Sequence, residues 1–433
     1  MTDLKNYYGR LLTDQQLPDD LRPLARRLPS MVTKQGKSYC GRCSSRIEEE
    51  WCLPDQTYYC RACIVFGRVL SDLPLYHVPQ KDFEQRQVLN WQGELTPYQA
   101  EVSQHLQEAI QKQEDILVHA VTGAGKTEMI YQPVASLLAA GKAVALVSPR
   151  IDVCVELFQR LTRDFTCPIS LLHGGSEAYQ GSPLVIATVH QLFKFYQAFD
   201  LIIIDEVDAF PFVDNAMLYQ AVEQAIKPEG SKVFLTATST DRLDRAVKSG
   251  QLKKVHLARR FHANPLVVPR LSWLDDLLES LSKQKIPTKL KRQIEKQQTT
   301  GHPLLIFFPH ISLGQDFCQV LTSLFPDKAI GFVSSQTAER QAEVERFRQR
   351  DLDILISTTI LERGVTFPCV DVFVLWSNHR LYNRSSLVQI AGRVGRSKER
   401  PTGLLIFFHD GKTKAMLQAI REIKQMNKEG GFE

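Results

Sequence analysis

The chain has 433 residues, of which 43% are hydrophobic and 23% charged, so we expect a globular protein of two or three domains. A formal net charge of +5 permits a polyanionic partner but does not require one. No apolar run approaches the ~20 residues that span a bilayer, and the N-terminus lacks the apolar core of a signal peptide, which together predict a cytoplasmic protein.

Four of the nine cysteines form two Cys-x-x-Cys pairs, Cys40 with Cys43 and Cys60 with Cys63. Four thiolates at this spacing suit a tetrahedral Zn²⁺ ion with a closed coordination shell, which is structural and not catalytic. A redox pair is the alternative, but it would not explain two motifs at the spacing of a zinc ribbon. We therefore predict an N-terminal Cys₄ zinc module that docks a partner or nucleic acid.

A glycine-rich segment, Ala-Val-Thr-Gly-Ala-Gly-Lys-Thr at residues 120–127, lies between an apolar run and a helix-like run. Backbone N–H groups of such a strand–loop–helix unit converge on phosphate. Lys126 can reach the β- and γ-phosphates of ATP, and the Thr127 hydroxyl can ligate Mg²⁺. An ordinary glycine turn would not require the Gly-Lys-Thr triplet. The predicted ATP-binding residues of this segment are Gly123, Ala124, Gly125, Lys126, Thr127 and Glu128.

Gln99 lies at the start of a predicted helix upstream of the glycine loop. Its carboxamide has both a donor and an acceptor, so it can recognise the edge of adenine. Helix capping around Thr96 and Pro97 is the alternative explanation of this segment.

Two acidic residues, Asp205 and Glu206, follow the apolar strand at 201–204. Acids at the end of a wholly apolar strand are costly in a core, which favours a functional role. Asp205 is predicted to hold Mg²⁺ through water, and Glu206 to polarise the attacking water. Thr236 and Thr238, at the end of the next strand, either cap a helix or couple the ATP site to bound nucleic acid.

Other predicted strands of this first domain end in polar residues. Parallel α/β sheets place their ligand contacts at such strand ends. The candidates for nucleic-acid contact are Pro149, Arg150, Thr188 and His190. An ordinary loop position remains the alternative, above all for the histidine.

Strands and helices recur after residue 260 and predict a second α/β domain that lacks its own Gly-Lys-Thr loop. Arg393 and Arg396, three residues apart, are predicted to share one helical face. From there they can reach a γ-phosphate as arginine fingers. The predicted fold class is α/β, with two doubly wound parallel-sheet domains after the zinc module. The predicted bounds are 1–90, 91–260 and 261–433.

Together, these motifs resemble superfamily two helicases and translocases, whose domains are RecA-like. The resemblance implies that Thr358, Thr359 and Arg363 contact the nucleic-acid backbone. It also implies roles for further residues: adenine recognition by Gln99, nucleotide binding by Gly364, catalysis by Lys126, Asp205, Glu206, Arg393 and Arg396, and coupling by Thr236, Thr238 and Gln389. Two departures are Ala120, where the loop usually starts with glycine, and Thr366, where many members have an acid that binds the ribose.

A narrower resemblance is to the ComFA family of late competence proteins and, more distantly, to the primosomal helicase PriA. It is carried by the Cys₄ ribbon ahead of the first motor domain and by the sequences at 205–211 and 361–368. The resemblance to ComFA implies an ATPase that requires ATP, Mg²⁺ and Zn²⁺, is stimulated by single-stranded DNA, and drives uptake of transforming DNA. It implies a place at the inner face of the membrane and the partners ComFC, DprA and ComEC, and it leaves a homo-oligomer open.

Two alternatives remain from the sequence. One is a replication-restart or repair helicase of the PriA type, although such proteins carry their zinc ligands after the first motor domain. The other is a nucleic-acid-binding scaffold with weak ATPase activity, against which the intact Lys126 and Glu206 argue.

Overall fold

The structure is a computed structural model that describes residues 3–432. The chain divides into two compact units. One contains residues 3–119 and 126–256, and the other contains residues 120–125 and 257–432. Within residues 3–432, no helix combines the length and the apolar character needed to cross a bilayer.

Short strands precede a large sheet in the first unit. The strands from the N-terminus to the end of this sheet are β1 (Leu11–Leu12), β2 (Arg26–Leu28), β3 (Met31–Lys34), β4 (Lys37–Cys40), β5 (Leu75–His77), β6 (Ile116–Ala120), β7 (Val144–Ser148), β8 (Ile169–Leu172), β9 (Leu184–Thr188), β10 (Phe199–Asp205), β11 (Ile226–Thr236) and β12 (Lys253–Leu257). Its α-helices are α1 (Pro97–Gln111), α2 (Lys126–Met129), α3 (Tyr131–Ala139), α4 (Ile151–Asp164), α5 (Ala216–Ala225) and α6 (Asp241–Lys248).

The large sheet has the strand order β12-β6-β11-β10-β7-β9-β8. All neighbouring pairs from β6 to β8 are parallel. A parallel sheet is covered on both faces, which explains why every residue of β7 and β9 is buried. Parallel pairing also brings the carboxyl ends of these strands to one edge, where the predicted motif residues follow them.

The zinc module is part of the first unit and shares its core. A hairpin of β3 and β4 leads to the first cysteine pair, while β1, β5 and β2 form a separate antiparallel sheet. The four cysteines belong to the same apolar cluster as Ile202 and Ile204 of β10 and Phe193. The Ser45 hydroxyl also lies 3.6 Å from Sδ of Met217 on α5. The module therefore packs directly on the α/β part of the unit.

The second unit is a six-stranded α/β domain with the strand order β13-β18-β17-β14-β16-β15, and all five pairs are parallel. Its strands are β13 (Arg270–Trp273), β14 (Leu304–Phe307), β15 (Ile330–Val333), β16 (Ile354–Ser357), β17 (Asp371–Val374) and β18 (Leu405–His409). Its α-helices are α7 (Leu277–Ser282), α8 (Thr288–Gln298), α9 (Ile311–Leu324), α10 (Arg340–Arg348), α11 (Arg384–Ala391) and α12 (Lys414–Glu429). The predicted fold class is thus confirmed, with two parallel-sheet α/β domains and a cluster of four cysteines.

Candidate ATPase and nucleic-acid site

The glycine loop joins β6 to α2, as its sequence predicts. Gly123 and Gly125 both have φ of +78°, a left-handed conformation that glycine adopts without the steric cost of a side chain. Lys126 is the first residue of α2, and Thr127 and Glu128 follow it. A loop with this backbone leading into a helix provides N–H groups for a phosphate. The Glu128 carboxylate forms an ion pair with Arg160 at 3.2 Å.

Gln99 lies in the first turn of α1 and takes part in a capping box with Thr96. Its carboxamide oxygen accepts from the Thr96 backbone N–H at 2.9 Å, and the Thr96 hydroxyl lies 3.0 Å from the same oxygen. The structure therefore contains the helix cap that was the alternative explanation of this segment. Adenine recognition by the same side chain stays a prediction.

The two acids lie where β10 ends. Asp205 is the last residue of the strand, and its Oδ1 accepts from the Glu206 backbone N–H at 2.9 Å. Glu206 has φ of +57°, which costs a residue other than glycine roughly 1–3 kcal/mol and is found most often at functional sites. The Thr127 hydroxyl and the Asp205 carboxylate are hard oxygen donors, the type that Mg²⁺ prefers, so this pair fits the predicted ion.

Asp208 connects the acidic motif to the predicted coupling threonines. The Thr236 hydroxyl lies 2.8 Å from Asp208 Oδ1 and 2.6 Å from the Thr238 carbonyl oxygen. The Thr238 hydroxyl donates to the other carboxylate oxygen of Asp208, and the Thr238 N–H donates to the Thr236 hydroxyl oxygen at 3.0 Å. Sequence reasoning missed the role of Asp208, although its position in the Asp-Glu-Val-Asp run was a signal.

The strand order of the large sheet separates two groups of motif residues that follow or end its strands. The glycine loop, Thr236 and Asp205 follow or end β6, β11 and β10, which are consecutive in the sheet. The candidates for nucleic-acid contact follow or end β7 and β9, which lie next to β10 on its other side. Of these candidates, Pro149 and Arg150 directly precede α4, Thr188 is buried, and burial lowers the pKa of His190.

In the second unit, Thr358 and Thr359 directly follow β16. Arg363 is only 3% exposed, because its guanidinium donates to the Ser385 hydroxyl at 2.9 Å and lies 3.7 Å from the Glu362 carboxylate. A contact from this side chain to nucleic acid would therefore require it to leave its present partners.

Arg393 and Arg396 lie beyond the end of α11, so the prediction of a shared helical face is wrong. The helix ends at Ala391, and Gly395 has φ of +70°, which a continuing helix does not allow. Gln389 is buried in the last turn of that helix.

The turn after α11 holds each arginine by a different contact. Arg393 Nε donates to the Glu362 carbonyl at 3.1 Å, and Arg396 Nη1 donates to the Thr366 hydroxyl at 3.1 Å. Gly364, the predicted nucleotide contact, has φ of +72°. The sequence did not single out Arg260, which is buried and donates to the Gly395 carbonyl at 2.6 Å. Burial, and then the charge of Arg396, lowers the pKa of Arg260.

The four predicted zinc ligands are buried together. All four Sγ atoms lie within 4.8 Å of one another. The Sγ–Sγ distances are 3.8 Å for Cys40 and Cys63, 3.5 Å for Cys43 and Cys60, and 3.6 Å for Cys60 and Cys63. A tetrahedron with Zn–S bonds of about 2.3 Å places its sulfur atoms about 3.8 Å apart. The cluster therefore fits Zn²⁺.

Two family models match the α/β domains. The DEAD/DEAH box helicase model matches residues 96–246, and the helicase conserved C-terminal domain model matches residues 285–398. The solved structure of Mycobacterium smegmatis helicase Lhr bound to ssDNA and AMP-PNP is similar in fold. Its TM-score is 0.58 at 18% identity, and the match covers 78% of this chain and 49% of that one.

Curated relatives match nearly the whole chain. Competence protein ComFA of Streptococcus pneumoniae (strain ATCC BAA-255 / R6) is 57% identical over 427 residues, which are 99% of each chain. Competence protein ComFA of Bacillus subtilis (strain 168) is 41% identical, covering 85% of this chain and 80% of that one. Taken with the matches to the two helicase models, this similarity shows that the chain belongs to the ComFA family of competence proteins and is a helicase-type ATPase.

Proposed function

We propose that this protein is an ATP-driven motor that moves along single-stranded DNA and helps to pull transforming DNA into the cell. The observation that carries the proposal is the 57% identity to a competence protein over 99% of both chains. The strand order supports it, because the predicted nucleotide and nucleic-acid residues lie side by side along one edge of the first sheet.

In the proposed reaction, the glycine loop and Lys126 bind the phosphates of ATP. Glu206 orients the water that attacks the γ-phosphate. Thr127 and Asp205 would hold Mg²⁺, which neutralises phosphate charge when it is bound. Arg393 and Arg396 are proposed to stabilise the charge that develops on the transferred group.

The proposed coupling runs through Asp208. This carboxylate accepts from both Thr236 and Thr238 and lies three residues after Asp205 on the same loop. A change around the γ-phosphate would therefore alter the contacts of both threonines. Such a link allows the nucleotide state to change how strongly the protein binds DNA.

We further propose that the zinc module docks a partner. The family resemblance suggests ComFC, DprA and the channel protein ComEC, and a place at the inner face of the membrane. Co-purification of each candidate with the wild-type protein, and with a variant altered on the exposed surface of the module at Tyr58 and Val65, would test this. Equal recovery with both proteins would place the docking surface elsewhere.

The test of the motor is ATP hydrolysis by the purified chain with single-stranded DNA, double-stranded DNA or RNA, at one stated salt concentration. We expect single-stranded DNA to stimulate hydrolysis well above the other two. Lys126→Ala should abolish hydrolysis and keep most of the DNA binding, because phosphate binding and DNA binding use different residues. Equal rates with all three nucleic acids would contradict the proposed track.

A further inference from the structure

Three aromatic side chains lie together at the carboxyl edge of the second sheet, outside the residues that the sequence predicts to act. His310 directly precedes α9 in the loop after β14, and Trp376 and His379 lie in the loop after β17. The ring centroids are 5.8 Å apart for His310 and Trp376, 5.0 Å for His310 and His379, and 4.9 Å for Trp376 and His379. We call these three residues the aromatic platform.

The strand order places the platform beside a predicted backbone contact. β14 lies between β17 and β16, and both pairs are parallel. The residues that follow β14 are therefore flanked by the loop after β17 on one side and by Thr358 and Thr359 on the other. Of the three platform residues, His310 thus follows the strand that is next to the one preceding Thr358 and Thr359.

The loop that carries Trp376 is held in place by its backbone and its neighbours. Trp376 has φ of +51°, an unusual conformation for a bulky residue. On either side of it, the Leu375 N–H donates to the Phe307 carbonyl at 2.9 Å, and the Ser377 N–H and hydroxyl both lie 2.8 Å from the Phe408 carbonyl oxygen. The backbone on either side of Trp376 is therefore held by the neighbouring strands.

The platform is partly open to solvent, unlike the core beneath it. Trp376 packs against the apolar core of the second unit but is only partly buried, and His310 is exposed. Arg380, next in the chain, is also exposed. Burial, and then the charges of His310 and Arg380, lowers the pKa of His379.

We propose that His310, Trp376 and His379 stack against unpaired bases of single-stranded DNA whose phosphates lie toward Thr358 and Thr359. Every base has a π-face, so such a platform holds DNA of any sequence, as a motor for unselected DNA requires. The N-terminus of α9 and Arg380 add positive charge for the flanking phosphates. The inference rests on the proposed function and adds that the second unit binds the bases of the DNA as well as its phosphates.

The experiment compares two fluorescent oligonucleotides of equal length, an oligo(dT) and one with the same phosphates but abasic sites. Binding is measured by anisotropy at fixed salt. The wild-type protein should prefer oligo(dT). Trp376→Ala should weaken oligo(dT) binding by roughly 5- to 150-fold, which corresponds to losing about 1–3 kcal/mol of stacking, and should leave abasic binding unchanged. Trp376→Phe should restore most of the preference.

Two further variants separate loss of the platform from general effects on folding. His310→Ala removes an exposed ring, so it tests the platform without opening the core, and it should lower the preference for oligo(dT) as well. Trp273→Ala is the matched control. This exposed tryptophan ends β13, which is three places from β14 in the sheet, and its loss should leave the preference intact.

The platform is overturned if the wild-type protein binds both oligonucleotides equally, or if Trp376→Ala and His310→Ala weaken both to the same extent. Wild-type protein that binds neither oligonucleotide would overturn the proposed function, and the platform with it.

Discussion

Replacing Thr236 by Val should destabilise the first unit more than replacing Thr238 by Val. Thr238→Val removes one hydroxyl that donates to the Asp208 carboxylate, a bond worth about 1.5–3 kcal/mol. Thr236→Val also removes one hydroxyl donor, whose single hydrogen is shared between Asp208 Oδ1 at 2.8 Å and the Thr238 carbonyl oxygen at 2.6 Å, and it removes the acceptor of the Thr238 N–H at 3.0 Å as well. Both threonines are at most 1% exposed, so that N–H would stay buried without its partner and add about 1–3 kcal/mol.

This difference of about 1–3 kcal/mol corresponds to roughly 2–12 °C in Tm for a domain of this size. Scanning calorimetry measures Tm, and hydrogen exchange on a peptide that contains Thr238 reports directly on the amide that has lost its hydrogen bond. Thr322→Val is the control, because this exposed hydroxyl donates only to the Cys318 carbonyl of its own helix, α9, in the second unit. Equal losses for the two variants, or a larger loss for Thr238→Val, would refute the reasoning.

Three further predictions concern stability. Cys60→Ser should lower both the zinc content measured by mass spectrometry and the Tm of the first unit, because the cysteines share its core; unchanged zinc would exclude Cys60 as a ligand. Burial, and then Arg26, lowers the pKa of His77 to about 4. The unfolded chain therefore takes up this proton first, and stability should fall by up to about 3 kcal/mol between pH 6.5 and pH 4, a slope that His77→Asn should lose in acid titrations. Arg400→Leu should cost the second unit about 3–5 kcal/mol in urea unfolding, because it leaves the fully buried Asp371 without the guanidinium 2.8 Å away; a loss below 1 kcal/mol would contradict this.

Local patterns in the sequence were enough to predict many elements of the fold. Apolar runs such as those at 144–148 and 304–307 form buried parallel strands because both faces of such strands are covered. The glycine loop between β6 and α2 was also predictable, since glycine is the residue that adopts the left-handed backbone found at Gly123 and Gly125 at little cost. The four cysteines were grouped by spacing alone, which the short reach of a Cys-x-x-Cys turn makes possible.

What the sequence did not reveal depends on contacts between distant residues. Asp208 meets Thr236 and Thr238 across separations of 28 and 30 residues, and no local pattern encodes that meeting. The arginines after α11 were assigned to a helix because three-residue spacing is helical, but the helix ends at Ala391, and Gly395 between the two arginines has a left-handed conformation. The aromatic platform requires the strand order of the second sheet, which the sequence does not specify.

The shared core of the zinc module has a consequence for biosynthesis. Ser45 and Met217 touch although 172 residues separate them. At translation rates of about 5–20 residues per second, the ribosome needs roughly 10–30 s to make the intervening chain. The cysteine pairs emerge early in that interval, while the apolar surface that will cover them is still unmade. Metal capture by the nascent chain would hold the module in its final shape until the rest of the unit arrives, so zinc supply during synthesis should affect the yield of the folded motor.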